Sequence, residues 1–391
     1  MKDGKLVAAQ IGCGAFAQCQ DLPNMAAIGG IELRYCCDPN LAVAEDAARK
    51  WGARRAVADY RAIVDDPELD FVKVSTPHDM HKPIVVDCAA RGKHVFCEKP
   101  MAMTREDCWD MIRTVRRAGI KFCVDLNRRM SPALRALKAR VLEQQREERH
   151  NPWRYMEMTR PPMAEELATN FLVRIQDESS SYRMIHLDPA HGGGQILGET
   201  VHWLDLASWF FDGQRPVSLT AWGSSRLSHG VNVRFSGGDA ATVLFDACGT
   251  FDFPKERYEV TSRAALFQSL MFVENRYWGM PGKARETFPL TADDFAKEIP
   301  EEGWDALMKK GALNRAAATG NIKGRWGAID VDKGHRAMLA GFADAIRNDT
   351  PTPCDEMAGY RSLLLAELAV QSIRLGQSVP VPVEDWEPVF S

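Results

Sequence analysis

Alternation of short apolar runs with helical stretches over the first 126 residues constrains the fold more than any other feature of the sequence. Helical segments such as LAVAEDAARKWG and REDCWDMIRTVRRAG separate runs of strand character. These runs read LVAAQIG, IELRYCCD, FVKVSTP, HVFCEKP and IKFCVDL. Strands that alternate with helices form a parallel sheet covered by helices on both faces. The sequence therefore predicts an α/β domain with a doubly wound parallel sheet at the N-terminus.

The pattern changes after residue 126. A helical stretch, SPALRALKARVLEQQREER, leads into runs in which apolar and polar residues alternate: WRYMEMT, VSLTAWG, VNVRFS, ATVLFDA, RYEVTS and ALFQSLMFVE. Such alternation is typical of antiparallel strands with one buried face. A chain of 391 residues also exceeds what one core usually serves. We predict two domains, residues 1–126 and 127–391, the second α+β with a large, mainly antiparallel open sheet.

Residues 277–330 interrupt this rhythm with glycine, proline and charge. We interpret them as a surface excursion, an oligomer contact or a lid. An open sheet needs cover on its exposed face, so a homo-oligomer, a dimer or tetramer, is expected.

Composition excludes several classes of protein. The formal net charge is -4, with 45% apolar and 26% charged residues, so there is no basic excess for nucleic acid or an anionic membrane surface. No apolar run reaches the length of a membrane span, and the first residues lack the apolar run of a signal peptide. Ten scattered cysteines without a CxxC pair are typical of reduced thiols. We expect a cytoplasmic protein.

A glycine turn follows the first strand, where IGCGAFA matches G-x-G-x-x-G/A at Gly12, Gly14 and Ala17. The glycines permit a tight turn and close approach of the backbone to a pyrophosphate, which the helix N-terminus favours. Asp38, at the end of the second strand, suits the ribose hydroxyls of adenosine, and DPNLAV offers no arginine for a 2'-phosphate. The pattern predicts a Rossmann domain that binds NAD rather than NADP. Its expected contacts are Gly12, Cys13, Gly14, Ala15, Phe16 and Asp38.

Two later strands end in polar motifs, STPHDMH and EKP. Open parallel sheets bind ligands beyond the carboxyl ends of their strands. We therefore expect cofactor contacts from these motifs and from the residue after the sixth strand, namely Ser75, Thr76, Pro77, His78, His81, Glu98, Lys99 and Asn127.

The second domain carries GGGQILGETVHWLD. On a helix over residues 198–211, Glu199 and His202 project side by side. A metal held by Glu199, His202 and Asp205 is an alternative, disfavoured because no second ligand pair is evident. A buried core histidine at position 202 is another.

The chain resembles the Gfo/Idh/MocA oxidoreductases over nearly its whole length. The motifs that carry the resemblance are GCGAFA, Asp38, STPHDMH, CEKP, NRRMSP, GGGQILGETVHWLD and KGHRAMLAGFADAIRN. The resemblance implies that Pro100 is a cis residue that shapes the nicotinamide pocket. One position departs from the family: many members have an Asp four residues before the histidine, and this chain has Gly198 followed by Glu199. Whether Glu199 replaces that carboxylate is open.

The resemblance and the chemistry of hydride transfer together predict an NAD-dependent dehydrogenase acting on a ring hydroxyl of a sugar, glycoside or cyclitol. Lys99 would orient and polarise the hydroxyl, His202 would take or relay its proton, and Glu199 would fix one of them. The expected substrate contacts are Lys99, Arg128, Glu199 and His202.

Two alternatives remain. In one, tightly held NAD is reduced and reoxidised within a turnover that cleaves or epimerises a glycoside. In the other, the protein is a non-catalytic NAD-binding regulator, which the retention of Lys99 and His202 disfavours.

Overall fold

The computed structural model describes residues 4–148, 167–177, 187–188, 191–249, 255–263, 265–280, 282–292, 298–309 and 329–388. The principal helices among these residues are α1 Leu22–Ala27, α2 Leu41–Trp51, α3 His81–Ala90, α4 Arg105–Ala118, α5 Pro132–Glu148, α6 Val201–Phe210, α7 His335–Asn348, α8 Glu356–Leu375 and α9 Val383–Trp386.

The N-terminal sheet contains β1 Leu6–Ile11, β2 Ile31–Cys37, β3 Arg55–Val57, β4 Phe71–Val74, β5 His94–Cys97 and β6 Phe122–Val124. Its strands are all parallel in the order β3-β2-β1-β4-β5-β6. That is the doubly wound order of a Rossmann domain, so the predicted fold of this half is confirmed. The five predicted apolar runs correspond to the other strands, and only the short edge strand β3 was not predicted.

Local sequence signals set the ends of the N-terminal helices. The hydroxyl of Thr104 accepts a hydrogen bond from the Asp107 amide at the start of α4. The helix ends at Gly119, which has a left-handed φ of 63°. These are the cap residues that an isolated helix end requires, because its terminal amides and carbonyls lack partners within the helix.

The second sheet contains β7 Asn170–Gln176, β8 Pro216–Gly223, β9 His229–Phe235, β10 Ala240–Asp246, β11 Glu256–Ser262, β12 Ala265–Leu270, β13 Glu274–Trp278, β14 Arg285–Thr287 and β18 Val379–Pro380. The strands run in the order β14-β13-β12-β11-β7-β10-β9-β8-β18. All neighbours are antiparallel except β7 and β10. The large, mainly antiparallel sheet is therefore confirmed.

The centre of this sheet differs from the sequence prediction. Strand β7 lies between β10 and β11, although its segment was not among the predicted runs. Phe171, Val173 and Ile175 of β7 alternate into the core with little or no exposed surface. The predicted run WRYMEMT lies outside the described residues.

The segment 277–330 is described only in part. It contributes β15 Pro289–Ala292 and β16 Glu298–Glu302, which pair with each other, and β15 also pairs with β17 Ile329–Val331. Its interpretation as an excursion, an oligomer contact or a lid stays a prediction.

Helix α7 returns from the second half of the chain to the N-terminal sheet. Its Phe342 ring lies 5.5 Å from the ring of Phe71 on β4 and 5.4 Å from that of Phe96 on β5. The division of the chain at residue 126 stays a prediction, and the packing of α7 crosses it. Within the described residues, none of the helices combines the length and the apolar character that a membrane crossing needs.

Candidate active site

The glycine turn joins β1 to the first helix. Gly12 has a φ of 86°, and a Cβ there would lie 2.3 Å from the Ser75 carbonyl oxygen. A Cβ on Gly14 would meet nothing within 4 Å. Gly12 is therefore required by the fold, because the backbone at the end of β4 packs against it. Gly14, in contrast, leaves open space at the start of the helix. This is the space that a pyrophosphate occupies in a Rossmann domain.

Asp38 lies directly after β2 and turns towards this loop. Its Oδ2 accepts a hydrogen bond from the Cys13 amide at 3.0 Å, and its Oδ1 accepts one from the Asn40 amide at 2.9 Å. Each carboxylate oxygen has two acceptor sites, so one on each remains for a ribose hydroxyl.

Buried polar atoms at the same sheet edge lack partners. Among the described residues, Thr76 Oγ1 and Asn127 Oδ1 have no hydrogen-bond partner, although the Asn127 amide donates to the Lys333 carbonyl at 2.8 Å. Such atoms are costly unless a ligand or water completes them. Together with the open glycine turn, they fit a dinucleotide at this edge.

The strand ends rest on a buried ionic cluster. The Lys73 ammonium is 2.5 Å from Glu98 Oε1, 3.3 Å from Asp21 Oδ1 and 3.7 Å from Asp125 Oδ2. Burial and the neighbouring carboxylates raise the pKa of Glu98 well above its usual value. The side chain of Glu98 is thus buried in the domain, where it pairs with Lys73 and stabilises the EKP turn. The three carboxylates are close enough to surround a cation, and that cation is Lys73.

The Lys99-Pro100 peptide bond is cis, as the family resemblance implied. His81 holds this turn, because its Nδ1 lies 2.8 Å from the Pro100 carbonyl oxygen and its Nε2 lies 3.2 Å from that of Thr76. Burial lowers the pKa of His81 to about 4, although both carbonyls favour its charged form. A neutral His81 has a single N–H donor, so it hydrogen-bonds one of the two carbonyls and only contacts the other.

Glu199 meets Lys99 from the second domain. A π-helical turn, Ile196–Thr200, precedes α6, and such turns are frequent at functional sites. The Lys99 ammonium donates to the Gly198 carbonyl and to Glu199 Oε1, both at 2.6 Å. Burial alone would raise the pKa of Glu199, but Lys99, Lys255 and Arg128 lower it below its usual value. This carboxylate is ionised and paired.

His202 lies one turn beyond Glu199 and is 5% exposed. Burial lowers its pKa well below the usual value, and the charges of Arg128, Lys99, His335 and Lys255 lower it further. Its Nδ1 has no hydrogen-bond partner among the described residues. A neutral imidazole with an uncommitted nitrogen therefore stands in the electrostatic range of Lys99.

His78 takes the space beside Gly198. Its Nδ1 is 3.1 Å from the Gly192 carbonyl oxygen, and a Cβ on Gly198 would lie 3.4 Å from its Cε1. Nearby, His191 and Asp79 form a second contact between the domains at 2.9 Å. A Cβ at position 198 would therefore be in ordinary van der Waals contact with the His78 ring.

Arg128 forms a buried pair. Its guanidinium donates to both oxygens of Glu256, at 2.9 and 2.7 Å, and stacks over the Trp203 ring at 4.7 Å. The next residue, Arg129, pairs with Asp205 in the same buried layer. These two arginines bind the sixth strand end to α6 and β11. Asp205 and Glu199 are each paired with a cation, so the arrangement does not support the metal alternative.

Two charged residues of the site carried no sequence signal. Lys255, just before β11, pairs with Asp177 after β7, and its ammonium is 3.9 Å from Glu199 Oε2. Burial would lower the pKa of Lys255, but Asp177, Glu199 and Glu256 raise it. Only pairing of β7 with β11 in the sheet brings these residues together.

Comparisons with known proteins agree with this arrangement. Over 111 residues, the chain is 36% identical to levoglucosan dehydrogenase of Pseudarthrobacter phenanthrenivorans, covering 28% of each protein. It is 29% identical over 210 residues to trans-1,2-dihydrobenzene-1,2-diol dehydrogenase of Sus scrofa, covering 54% of this chain and 55% of that protein. These alignments thus span about half or less of either relative's length.

The fold is similar to that of solved structures over nearly the whole chain. A myo-inositol dehydrogenase from Corynebacterium glutamicum superposes with a TM-score of 0.70 at 20% identity, covering 97% of this chain and 99% of that one. This likeness concerns the fold alone.

A family model matches residues 7–126, and its description is an oxidoreductase family with an NAD-binding Rossmann fold. The predicted cofactor, NAD, is thereby confirmed. Over these residues the chain matches the Gfo/Idh/MocA oxidoreductase family that its motifs indicated.

Proposed function

We propose that this protein is an NAD-dependent dehydrogenase that transfers hydride between a ring hydroxyl carbon of a sugar, glycoside or cyclitol and nicotinamide. The observation that carries the proposal is the 2.6 Å contact between the Lys99 ammonium of the NAD-binding domain and the Glu199 carboxylate of the second domain, one turn from His202. The named activities of the two curated relatives, both dehydrogenases, support it.

Lys99 polarises the reacting hydroxyl. An ammonium has three N–H donors, and the contacts with Gly198 and Glu199 use two of them. Among the described residues the third has no acceptor, so it is available to the substrate oxygen. The positive charge stabilises the alkoxide that develops as hydride leaves the carbon.

His202 takes the hydroxyl proton. The lowered pKa keeps the imidazole unprotonated near neutral pH, so that it can accept a proton. When bound, NAD supplies the hydride acceptor. The hydroxyl proton then moves to His202 while the C–H electron pair leaves as hydride, which balances the oxidation of the alcohol to a ketone.

Glu199 serves as the carboxylate that the family usually has at position 198. It fixes Lys99 through a hydrogen bond and balances the ammonium charge. In this proposal the NAD contacts come from the glycine turn, Asp38 and the two strand-end motifs, while Arg128 and Glu98 act by supporting the site.

We also propose that the protein self-associates through the open face of the large sheet and that it is located in the cytosol. Along β10, buried residues alternate with half-buried ones, so one face of the sheet is covered less than the other. All ten cysteines are free thiols, which suits a reducing compartment.

The test is an NADH absorbance screen of the purified protein against sugars, glycosides and cyclitols, with bound nucleotide identified after denaturation. We expect NADH formation with at least one ring polyol. Lys99→Met should lower turnover by at least about a hundredfold, because polarisation and charge stabilisation are lost together, while NAD affinity stays largely intact.

Lys82→Met is the matched control, since Lys82 pairs with Asp107 and Asp110 on the same domain away from the site. Unchanged turnover in Lys99→Met would contradict the assignment. Product formation without net NADH release would instead favour the redox-neutral alternative.

A further inference from the structure

Lys255 shares one partly open face with the proposed catalytic pair. The side chains of Lys99, Glu199 and Lys255 are 13%, 23% and 20% exposed, whereas Arg128 and Glu256 behind them are 6% and 0% exposed. Because Lys99 and Lys255 lie against the two oxygens of the Glu199 carboxylate, a ring-sized ligand on Lys99 is within reach of Lys255.

The Lys255 ammonium keeps donor capacity. It contacts Asp177, and its 3.9 Å separation from Glu199 Oε2 is longer than a hydrogen bond. Of its three N–H donors, at least one has no acceptor within hydrogen-bond distance among the described residues. Its position is fixed on two sides by carboxylates, so the remaining donor is preorganised.

The charges around this face balance. Lys99 pairs with Glu199 and Lys255 pairs with Asp177, so the two pairs carry no net charge. A neutral hydroxyl-rich ligand suits such a face better than an anion does. Both ammonium groups lie on the same carboxylate, one at each oxygen, so a ring with one hydroxyl on Lys99 is wide enough to bring a second hydroxyl to Lys255.

We propose that Lys255 is a specificity-determining residue that donates a hydrogen bond to a second hydroxyl of the substrate, on a ring carbon next to the one that reacts. The substrate class is thereby narrowed to neutral rings with adjacent hydroxyls. This inference rests on the proposed function.

Ligand discrimination in the NADH-loaded protein tests the proposal, because binding there needs no turnover. The probes are D-glucose, myo-inositol and 1,5-anhydro-D-glucitol, each with its monodeoxy analogues, and the readout is the dissociation constant from calorimetry. Wild type should bind one deoxy analogue about 10- to 100-fold more weakly than its parent. This is the loss of affinity expected when a hydrogen bond from a charged donor is removed.

Lys255→Met should bind that parent and analogue alike, while Lys255→Arg keeps part of the discrimination. Lys138→Met is the matched control, since Lys138 contacts the Trp209 carbonyl at the far end of α6. If Lys255→Met still binds the deoxy analogue more weakly than the parent by the wild-type factor, the role of Lys255 is overturned and the proposed function is not affected. Absence of both binding and oxidation of every probe by wild type contradicts the proposed function, and this inference with it.

Discussion

At the scale of single residues, the site depends on donors and acceptors that the protein leaves incomplete. Among the described residues, Lys99 has no acceptor for one of its N–H groups and the buried His202 Nδ1 has no partner. Polar groups in that state normally find a partner within the protein. We propose that a substrate hydroxyl is the partner that completes Lys99.

The pH dependence of catalysis follows from His202. Because its pKa is lowered well below the usual value, it stays neutral as the pH falls from neutral into the mildly acidic range. We expect kcat/KM for the best screened polyol to stay flat between about pH 7.5 and about pH 6, and His202→Asn to lower kcat by about a hundredfold or more.

His191→Asn is the control for this prediction, since His191 is an exposed histidine of the same segment, paired with Asp79. A titration centred near the ordinary histidine value, absent from His202→Asn, would show that His202 is not held neutral.

At the scale of elements, the two glycines of the glycine turn meet different requirements, one for close backbone packing and one for open space. Gly12 lies against the Ser75 carbonyl, so a side chain there displaces the end of β4. Gly14 faces open space, so a side chain there disturbs only what binds in that space. We therefore propose that Gly12 is needed for folding and Gly14 for binding of the dinucleotide.

Alanine substitutions test this division. Gly12→Ala should lower the free energy of unfolding by about 1 to 3 kcal/mol or more. The added Cβ clashes with the Ser75 carbonyl, and the φ at this position is strained for any residue but glycine. Gly14→Ala should unfold like the wild type without ligand but bind NAD about tenfold more weakly or worse. Chemical denaturation of the free protein and calorimetric NAD titration measure the two effects. Equal stability of the two variants would refute the distinction.

At the scale of the whole molecule, buried ion pairs connect the two sheets beneath the site. Arg128 follows β6 of the first sheet, and Glu256 begins β11 of the second. Glu256 also accepts hydrogen bonds from Trp203 and Tyr258, so its carboxylate is the centre of a buried network. The relative placement of Lys99 and His202 depends on this connection.

Acid stability should follow the ionisation of Glu256. Burial raises its pKa, but Arg128 lowers it more, to about 2 from a usual value of 4.5. Its stabilisation is therefore complete above about pH 4.5 and is lost as the pH falls towards 2. Glu256→Gln should cost about 3 to 5 kcal/mol at neutral pH, because it leaves the Arg128 charge unpaired.

Urea unfolding at several pH values measures that cost, and the difference from wild type should shrink in acid. Glu259→Gln, on the same strand but half-exposed, is the control. A difference that stays constant down to the lowest pH would contradict the assignment to this carboxylate.

The sequence alone determined those parts of the protein whose physics is local. The glycine turn, the caps of α4 and the period of the strands follow from residues close together in the chain. The catalytic roles of Lys99 and His202 were predicted from their motifs and stay a prediction. Tertiary structure decided the rest. Strand β7 was not recognised, and its pairing with β11 is what brings Asp177 and Lys255 to Glu199. Likewise, α7 packs on the first sheet from the far end of the chain. Contacts between residues so distant in sequence depend on how whole sheets pack, and no local pattern records that packing.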